Sequence, residues 1–321
     1  MPKTFVIAEC ASSHDNDIDK AKRLIDWAKE CGADAAKFQW TSNGSRMAQR
    51  RGQTQNLQAA DLYGKFLQKP VSWLETLKAH ADKVGIEFMC TVFLIEDIDV
   101  IAPFVSKFKV SAREADWTEF VQAHFYRYKE TIISSNDALN YQVSMKLPGS
   151  ARPARVLHCV SKYPTPWKDV CLDACRYDGV DGLSDHSTNP LAGALAVAAG
   201  ARIIEKHIKL VVTSHDNPDW AHSMTANCHS LDMQGDWGCE GHADCFYQYV
   251  RMIREAEVAF EEDSAAPILV SPPVSAEQLS HRPGWVVYDP SGDLPAGSLG
   301  AWWQEPQPPD TTNSPQGGPR V

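Results

Sequence analysis

No run in this 321-residue sequence approaches the length of a membrane span, and the N-terminal "MPKTFVIAEC" carries an apolar stretch too short for a secretory signal. Positive charge is also in deficit. Against 41 Asp and Glu stand 31 Lys and Arg, a formal net charge of −10, which argues against nucleic acid or an anionic membrane as the main partner while leaving room for a local basic cleft. The cysteines form no framework: nine of them, an odd number scattered from Cys10 to Cys245, read as reduced thiols of a cytoplasmic protein. Apolar residues, at 43%, are in the ordinary globular range, so the chain is able to build one large core or two smaller ones.

What the chain does contain is a repeated alternation. Eight short runs rich in β-branched or aromatic residues recur: "TFVIAE", "ADAAKFQ", "IEFMCTV", "FKVSA", "TIISS", "RVLHCV", "DGLSDH" and "RIIEKH". Helix-like patterns separate them, as in "DIDKAKRLIDWAKECG", where Ile18, Ala21, Leu24, Ile25 and Ala28 share one face, and in "SWLETLKAHADKVG" and "NPLAGALAVAAG". Strand followed by helix, repeated over roughly 250 residues, predicts an α/β fold with a parallel sheet closed into a (β/α)8 TIM barrel. After the long helical pattern "CFYQYVRMIREAEVAFEE" the composition turns Pro-rich. The expected domains are therefore a barrel over 1–262, a short β region over 263–303 and a disordered Pro-rich tail over 304–321.

Nearly every predicted strand ends in polar groups, and barrel closure gathers them in one mouth. The run "GARIIEKHIKL" poses the question most sharply, because Glu205, Lys206 and His207 close an otherwise apolar strand. His186 in "SDHS" and His207 end consecutive strands, so their imidazoles suit a divalent transition metal, with Asp185, Glu205 and Asp219 to complete or orient the shell. Taken singly, each is more often a hydrogen-bonded strand-end histidine. Lys37 and Lys109 face the same cleft and call for anionic company: a phosphate or carboxylate substrate with Ser111, Ser134, Ser161 and Ser184 as hydroxyl donors, an ion pair with Glu9 or Glu205, or a Schiff base.

The motifs "FVIAEC" with "HDND", "GADAAKFQ", "FKVSARE", "HCVSKYPTPWKDVCLDA", "GLSDHS", "GARIIEKHIKL" and "DNPDWAHSM", in this order over residues 4 to 260, resemble the sialic acid synthase (N-acetylneuraminate synthase) family. The resemblance implies a TIM barrel that condenses phosphoenolpyruvate with a hexosamine such as N-acetylmannosamine, using a divalent metal, Mn2+ or Mg2+, and followed by an antifreeze-like domain. It further implies a homodimer and a small-molecule pair of substrates, phosphoenolpyruvate and an amino sugar. Carried over by position, it makes His186 and His207 the metal ligands, and Glu9, Asp219 and Tyr163 the catalytic residues. Lys37, Gln39, Thr91, Lys109, Ser134, Ser161 and Ser184 would bind substrate, with Arg282 from the C-terminal region.

The sequence also departs from the family pattern. Where the family has "KIGSGE" this chain has "KVSARE", which puts Ala112 at a phosphate-contacting serine and offers Ser111 and Arg113 beside it. "DWAHS" brings Trp220 and His222 to the acceptor side, and the antifreeze-like region is abbreviated. An insert, "CHSLDMQGDWGCEGHADC", provides Cys228, Cys239, His242 and Cys245 as a candidate structural Zn2+ site. Two alternatives stand beside the synthase: a condensing enzyme with a different sugar acceptor, and a catalytically weakened barrel serving as a binding subunit.

Overall fold

The structure is a computed structural model that describes residues 3–50, 57–139, 154–226 and 245–260, with the backbone of 285–288 and 300–303. The chain divides into two compact units, residues 1–268 and 269–321. In the second, Trp285–Tyr288 pairs antiparallel with Gly300–Trp303. Arg282, Cys228, Cys239 and His242 lie outside the described residues. No described helix is long and apolar enough to cross a membrane.

The first unit is a closed parallel barrel of eight strands with helices outside, as the alternation predicts. The strands are β1 (Phe5–Ala11), β2 (Ala35–Gln39), β3 (Glu87–Thr91), β4 (Lys107–Val110), β5 (Glu130–Ser135), β6 (Arg155–Cys159), β7 (Gly182–Asp185) and β8 (Ile203–Lys209). Each pairs with its sequence neighbour, and β1 closes on β8 from Phe5↔Ile203 to Glu9↔His207. A two-residue strand, β9 (Met224–Thr225), pairs in parallel with Ile208 and Lys209 at the end of β8. The period of two explains the burial on both faces. One set, Ile7, Ala35, Met89, Ile132, Leu157 and Ile203, fills the barrel; the alternate set, among them Val6, Ala36, Phe88, Phe108, Ile133 and Ile204, joins the core under the helices.

The helices follow their sequence signals. In α1 (Ile18–Glu30) Asp17 caps the N-terminus by accepting from the backbone of Asp19 and Lys20, and Ala21, Leu24, Ile25 and Ala28 are buried. In α2 (Gly44–Ala48) Asn43 caps in the same way, and α3 (Leu57–Phe66) follows it; both precede β3 and neither was expected. Then come α4 (Val71–Val84), ended by Gly85 at φ 74°, α5 (Ile95–Ile101), α6 (Thr118–Phe125), α7 (Ala192–Ala198) and α8 (Phe246–Ala259). The connection from β6 to β7 departs from strict repetition: it holds two short 3-10 turns, Trp167–Asp169 and Leu172–Arg176, in place of a helix.

The alternation also separates the three ionisable residues of β8. Glu205 and His207 point into the barrel, whereas Lys206 points out, fully buried against α8. There its ammonium pairs with Asp185 Oδ2 at 3.1 Å, and the Tyr249 hydroxyl donates to the same carboxylate oxygen at 2.9 Å. Asp185 is therefore a structural partner of Lys206 and not part of a metal shell, correcting that expectation. The seventh strand depends on a residue without a side chain: a Cβ at Gly182 would run into the backbone carbonyl of Ile203 on β8. Gly182→Ala is expected to lower the unfolding free energy by about 1–3 kcal/mol through forced separation of β7 and β8, read from the urea midpoint.

Candidate active site

Toward the mouth the apolar filling of the barrel gives way to charge on β1, β2, β4 and β8, to hydroxyls on β3, β5 and β7, and to Cys159 on β6. Glu9 and Lys37 are register partners across β1 and β2, and the Lys37 ammonium donates to a Glu9 carboxylate oxygen. It also donates to Thr91 Oγ1 at 3.0 Å and lies 3.6 Å from Glu205 Oε2. On the other side of Glu205, Lys109 Nζ lies 3.5 Å from Oε1 and donates to Ser134 Oγ at 2.8 Å, while the Ser184 hydroxyl donates to Oε1 at 3.0 Å. All of these groups are buried, and their charges alternate. Burial pushes Lys37 down to about 8, against the opposing pull of Glu205. Burial also works to raise the Glu205 carboxylate, but Lys109 and then Lys37 outweigh it and hold Glu205 well below the usual range. Of the roles left open for the lysines, the ion-pair geometry is formed, with both Glu9 and Glu205. Glu205 Oε2 accepts no hydrogen bond among the described residues.

Beside this row stands a cluster of rings. His186 and His207, from β7 and β8, have centroids 5.4 Å apart, as adjacent strand ends require. His186 Nδ1 donates to the Val160 carbonyl at 3.0 Å, which fixes its tautomer and leaves Nε2 as the lone pair. Tyr163 lies 4.2 Å from His186 and 4.9 Å from His222, centroid to centroid. Although it touches these rings, Tyr163 itself is 53% exposed, at the edge of the mouth. His222 packs 4.6 Å from His207. Asp219 is held by Ser12, whose N–H donates to Oδ2 at 2.9 Å and whose hydroxyl donates to the same oxygen. Its other oxygen faces His207 Nδ1 at 3.6 Å and His222 Nε2 at 3.3 Å. Burial tends to raise the Asp219 carboxyl, yet His222, His207 and Ser12 together hold it far below the ordinary value. Burial lowers His186 to about 4 and holds His207 well below its ordinary value, so both are neutral imidazoles near pH 7.

The sequence-derived set is thus largely brought together: Glu9, Lys37, Thr91, Lys109, Ser134 and Ser184 in the charged row, and His186, His207, Asp219 and Tyr163 in the ring cluster. Gln39 is half-buried at the end of β2, in register with Thr91. Ser161 is exposed, and its backbone N–H donates to Asn136 Oδ1. Ser111 does not serve the mouth: its hydroxyl donates to the buried Glu114, which pairs with Arg50 at 2.6 Å. Arg113 reaches the Tyr63 hydroxyl. Trp220 stacks on His215 at 4.1 Å and under Lys209 at 3.9 Å, so the altered loop presents His222, not Trp220, to the rings. Cys245, the one described member of the candidate zinc set, is buried at the start of α8. Cys159 lines the barrel near His186, but burial pushes its thiol up to about 12, which keeps it from acting as a thiolate.

Two participants were underrated from sequence. Glu205 bridges both lysines, a role legible in the period-two placement of Glu205 and His207 on one face. The motif "DWAHS" puts His222 on the acceptor side, but nothing in the sequence sets it against His207, because that contact depends on the loop after β8 folding back over the mouth.

Buried neutral histidines make stability depend on pH. His14, His124, His158 and His186 are each pushed by burial from the ordinary 6.5 to about 4. Between those values the unfolded chain binds protons that the folded chain refuses, so their contribution is present above pH 6.5 and is lost as pH falls toward 4. Urea midpoints are expected to drop steadily across that window, with a slope of about 1.4 kcal/mol per pH unit for each participating histidine. A flat profile from pH 7 to 4.5 would contradict the burial.

Comparison with known proteins gives this geometry a context. The family model described as the NeuB family matches residues 24–231. An uncharacterized protein of Methanocaldococcus jannaschii is 31% identical over 236 residues, covering 70% of this chain and 66% of that protein. The N,N'-diacetyllegionaminic acid synthase of Campylobacter jejuni is 30% identical over 65% of this chain and 69% of its own length. The human N-acetylneuraminate-9-phosphate synthase is 30% identical over 64% and 62%. This chain therefore spans about two thirds of the length of these curated relatives. Among solved structures, the N-acetylneuraminic acid (sialic acid) synthetase of Leptospira borgpetersenii, crystallised with citrate, superposes with a TM-score of 0.68 at 25% identity, covering 83% of this chain and 87% of that one. With the family model matched over more than half its length and the barrel shared, the chain belongs to the NeuB family, the sialic acid synthase family its motifs resemble.

Proposed function

We propose that this protein condenses phosphoenolpyruvate with an aldose acceptor, N-acetylmannosamine or a related hexosamine, to give a nonulosonic acid and phosphate, and that it does so with a divalent metal, Mn2+ or Mg2+, in the barrel mouth. The observation that carries the reading is the pair of buried lysines, Lys37 and Lys109, set beside the neutral imidazoles of His186 and His207 at the C-terminal ends of the strands in a member of the NeuB family. The donor set fits a metal, since His207 Nδ1 is buried without a hydrogen bond and faces the Asp219 carboxylate. His186 and His207 would hold the ion, which when bound supplies Lewis-acid polarisation of the acceptor aldehyde.

The remaining work falls to the chain. Lys37 and Lys109 attract the phosphate and carboxylate of phosphoenolpyruvate, and the Thr91, Ser134 and Ser184 hydroxyls, now donating to or accepting from the row itself, turn to its oxygens. C3 of the enol forms the new bond to the aldehyde carbon, whose oxygen takes a proton. Water then adds at C2 and phosphate departs. Glu9, held by Lys37 and by the N–H of Ala11 at 2.9 Å, is the carboxylate that balances the cationic C2 and accepts the proton of the entering water. Asp219 and Tyr163 border the acceptor. Gln39 and Ser161 complete the substrate-binding set in this reading, with Arg282 from an abbreviated antifreeze-like region over 263–303. A homodimer in the cytoplasm accords with it; the seven described cysteines form no disulfide.

A different acceptor is the second reading, favoured by the presence of His222 among the rings. Purified protein incubated with phosphoenolpyruvate, Mn2+ and a panel of aldoses is expected to release phosphate with a hexosamine acceptor. Release with another aldose alone selects the second reading, and no release with any acceptor despite bound phosphoenolpyruvate leaves the binding subunit. In the active case Lys109→Ala is expected to raise the KM for phosphoenolpyruvate about 10- to 100-fold, matching loss of a charged hydrogen bond of about 1.5–3 kcal/mol, with little change for the sugar. Equal effects on both substrates would assign Lys109 to the Glu205 ion pair instead.

A further inference from the structure

We propose that His222 joins His186 and His207 as a third histidine ligand of the mouth metal, with His207, His222 and Asp219 forming a two-histidine, one-carboxylate face of the site; the inference rests on the metal-dependent reading above and adds a residue that the family motifs do not assign. The ligand atoms of these three residues all lie within 4.8 Å of one another, the one such group of histidine, cysteine and acidic residues among those described. His207 is 6% and His222 4% exposed, and His207 Nδ1 and His222 Nε2 have no hydrogen-bond partner among the described residues. A buried ring nitrogen without a partner is costly, and two of them turned to one carboxylate oxygen share one remedy, a cation between them.

The carboxylate is prepared for the role. Ser12 occupies Oδ2 with its N–H and hydroxyl, so Oδ1 is the oxygen left facing the two rings, at 3.6 and 3.3 Å. Ligand atoms around a divalent ion with bonds of about 2.0–2.2 Å stand about 3–3.4 Å apart, so the two carboxylate–histidine separations need only a small contraction, while the two ring nitrogens close from a separation within 4.8 Å. Local backbone geometry explains why residue 222 is the one that arrives. Asp219 caps a single 3-10 turn, Trp220–His222, and with about three residues per turn positions 219 and 222 fall on the same edge. The Ser223 hydroxyl closes that turn by donating to the Asp219 carbonyl at 2.6 Å. Two imidazoles and one carboxylate favour a first-row transition ion such as Mn2+, Co2+ or Zn2+ over Mg2+, whose preference is for an all-oxygen shell.

The test uses the full chain, stripped with a chelator and titrated with Co2+, read by calorimetry and by the visible absorption of the bound ion. Wild type is expected to bind one ion, and His222→Ala to weaken binding at least tenfold and change the Co2+ spectrum. His215→Ala, altering an exposed histidine on the same loop, is expected to change neither. His222→Gln keeps the side-chain volume should the alanine variant fold poorly, and is expected to show the same loss. Should both His222 variants retain the wild-type constant and spectrum while His207→Ala loses the ion, His222 is not a ligand and the metal reading survives without it. If wild type binds no Co2+ or Mn2+, with or without phosphoenolpyruvate, the metal part of the proposed function falls, and this inference with it.

Discussion

Four buried charges of alternating sign, Glu9, Lys37, Glu205 and Lys109, span the inside of the barrel where β1, β2, β8 and β4 reach the mouth, and the site is organised around them. Taking each of these groups out of water costs several kcal/mol, and an apolar filling like the Ile7, Met89 and Leu157 layer beneath would stabilise the fold at least as well. The row is thus better explained by recognition than by stability. Its pairs neutralise one another when no substrate is bound. An incoming dianion is able to draw on two preplaced ammonium groups without the chain having to bury fresh charge.

The row gains its direction from the loops above it. Ala11 at the end of β1 and Asp15 and Asn16 in the turn after it have positive φ, and this turn is tied to the segment after β8 by several independent bonds. Asn217 donates to the Ser12 carbonyl and to Asp15, Thr213 donates to the Ser13 carbonyl, and the Ser214 N–H donates to Asp15. Because Ser12 in turn orients Asp219, the carboxylate over the histidines is set by contacts across roughly 200 positions of chain. Rigid strands place the lysines and His207; this cross-linked pair of loops places Asp219 and His222. The division matches barrel enzymes in general, where strands hold and loops specialise.

Outside the mouth, polar groups of the same types do different work. Lys206, Asp185 and Tyr249 make a buried triad between β8 and α8, and Ser111, Glu114 and Arg50 make another beside β4. Both contain residues that attract attention as site candidates when only their position near a strand end is considered. Their hydrogen bonds are mutually satisfied, whereas Glu205 Oε2, His207 Nδ1 and His222 Nε2 are left without such bonds among the described residues. Thr4 Oγ1, Ser13 Oγ, Asp97 Oδ1, His124 Nε2 and His158 Nε2 also lack such a bond, so the gathering of three unpartnered atoms in one mouth, not the missing bond by itself, marks the site.

The sequence by itself determined the eight strands, the outer helices with a clear apolar face such as α1 and α4, and, through the period of two, which strand residues enter the barrel. Those are local properties: an apolar alternation or an apolar helical face needs no distant partner to be recognised. It also determined the family, because motifs such as "GLSDHS" and "GARIIEKHIKL" sit on those strands. Only the tertiary structure decided that Lys206 and Asp185 pair away from the mouth, that Ser111 belongs to Glu114, and that Glu205 stands between two lysines. It also decided that a histidine from the loop, three residues past Asp219, joins the two from the strands. These outcomes depend on which groups meet across the closed barrel and across loops far apart in sequence, and a linear pattern carries no record of such distances.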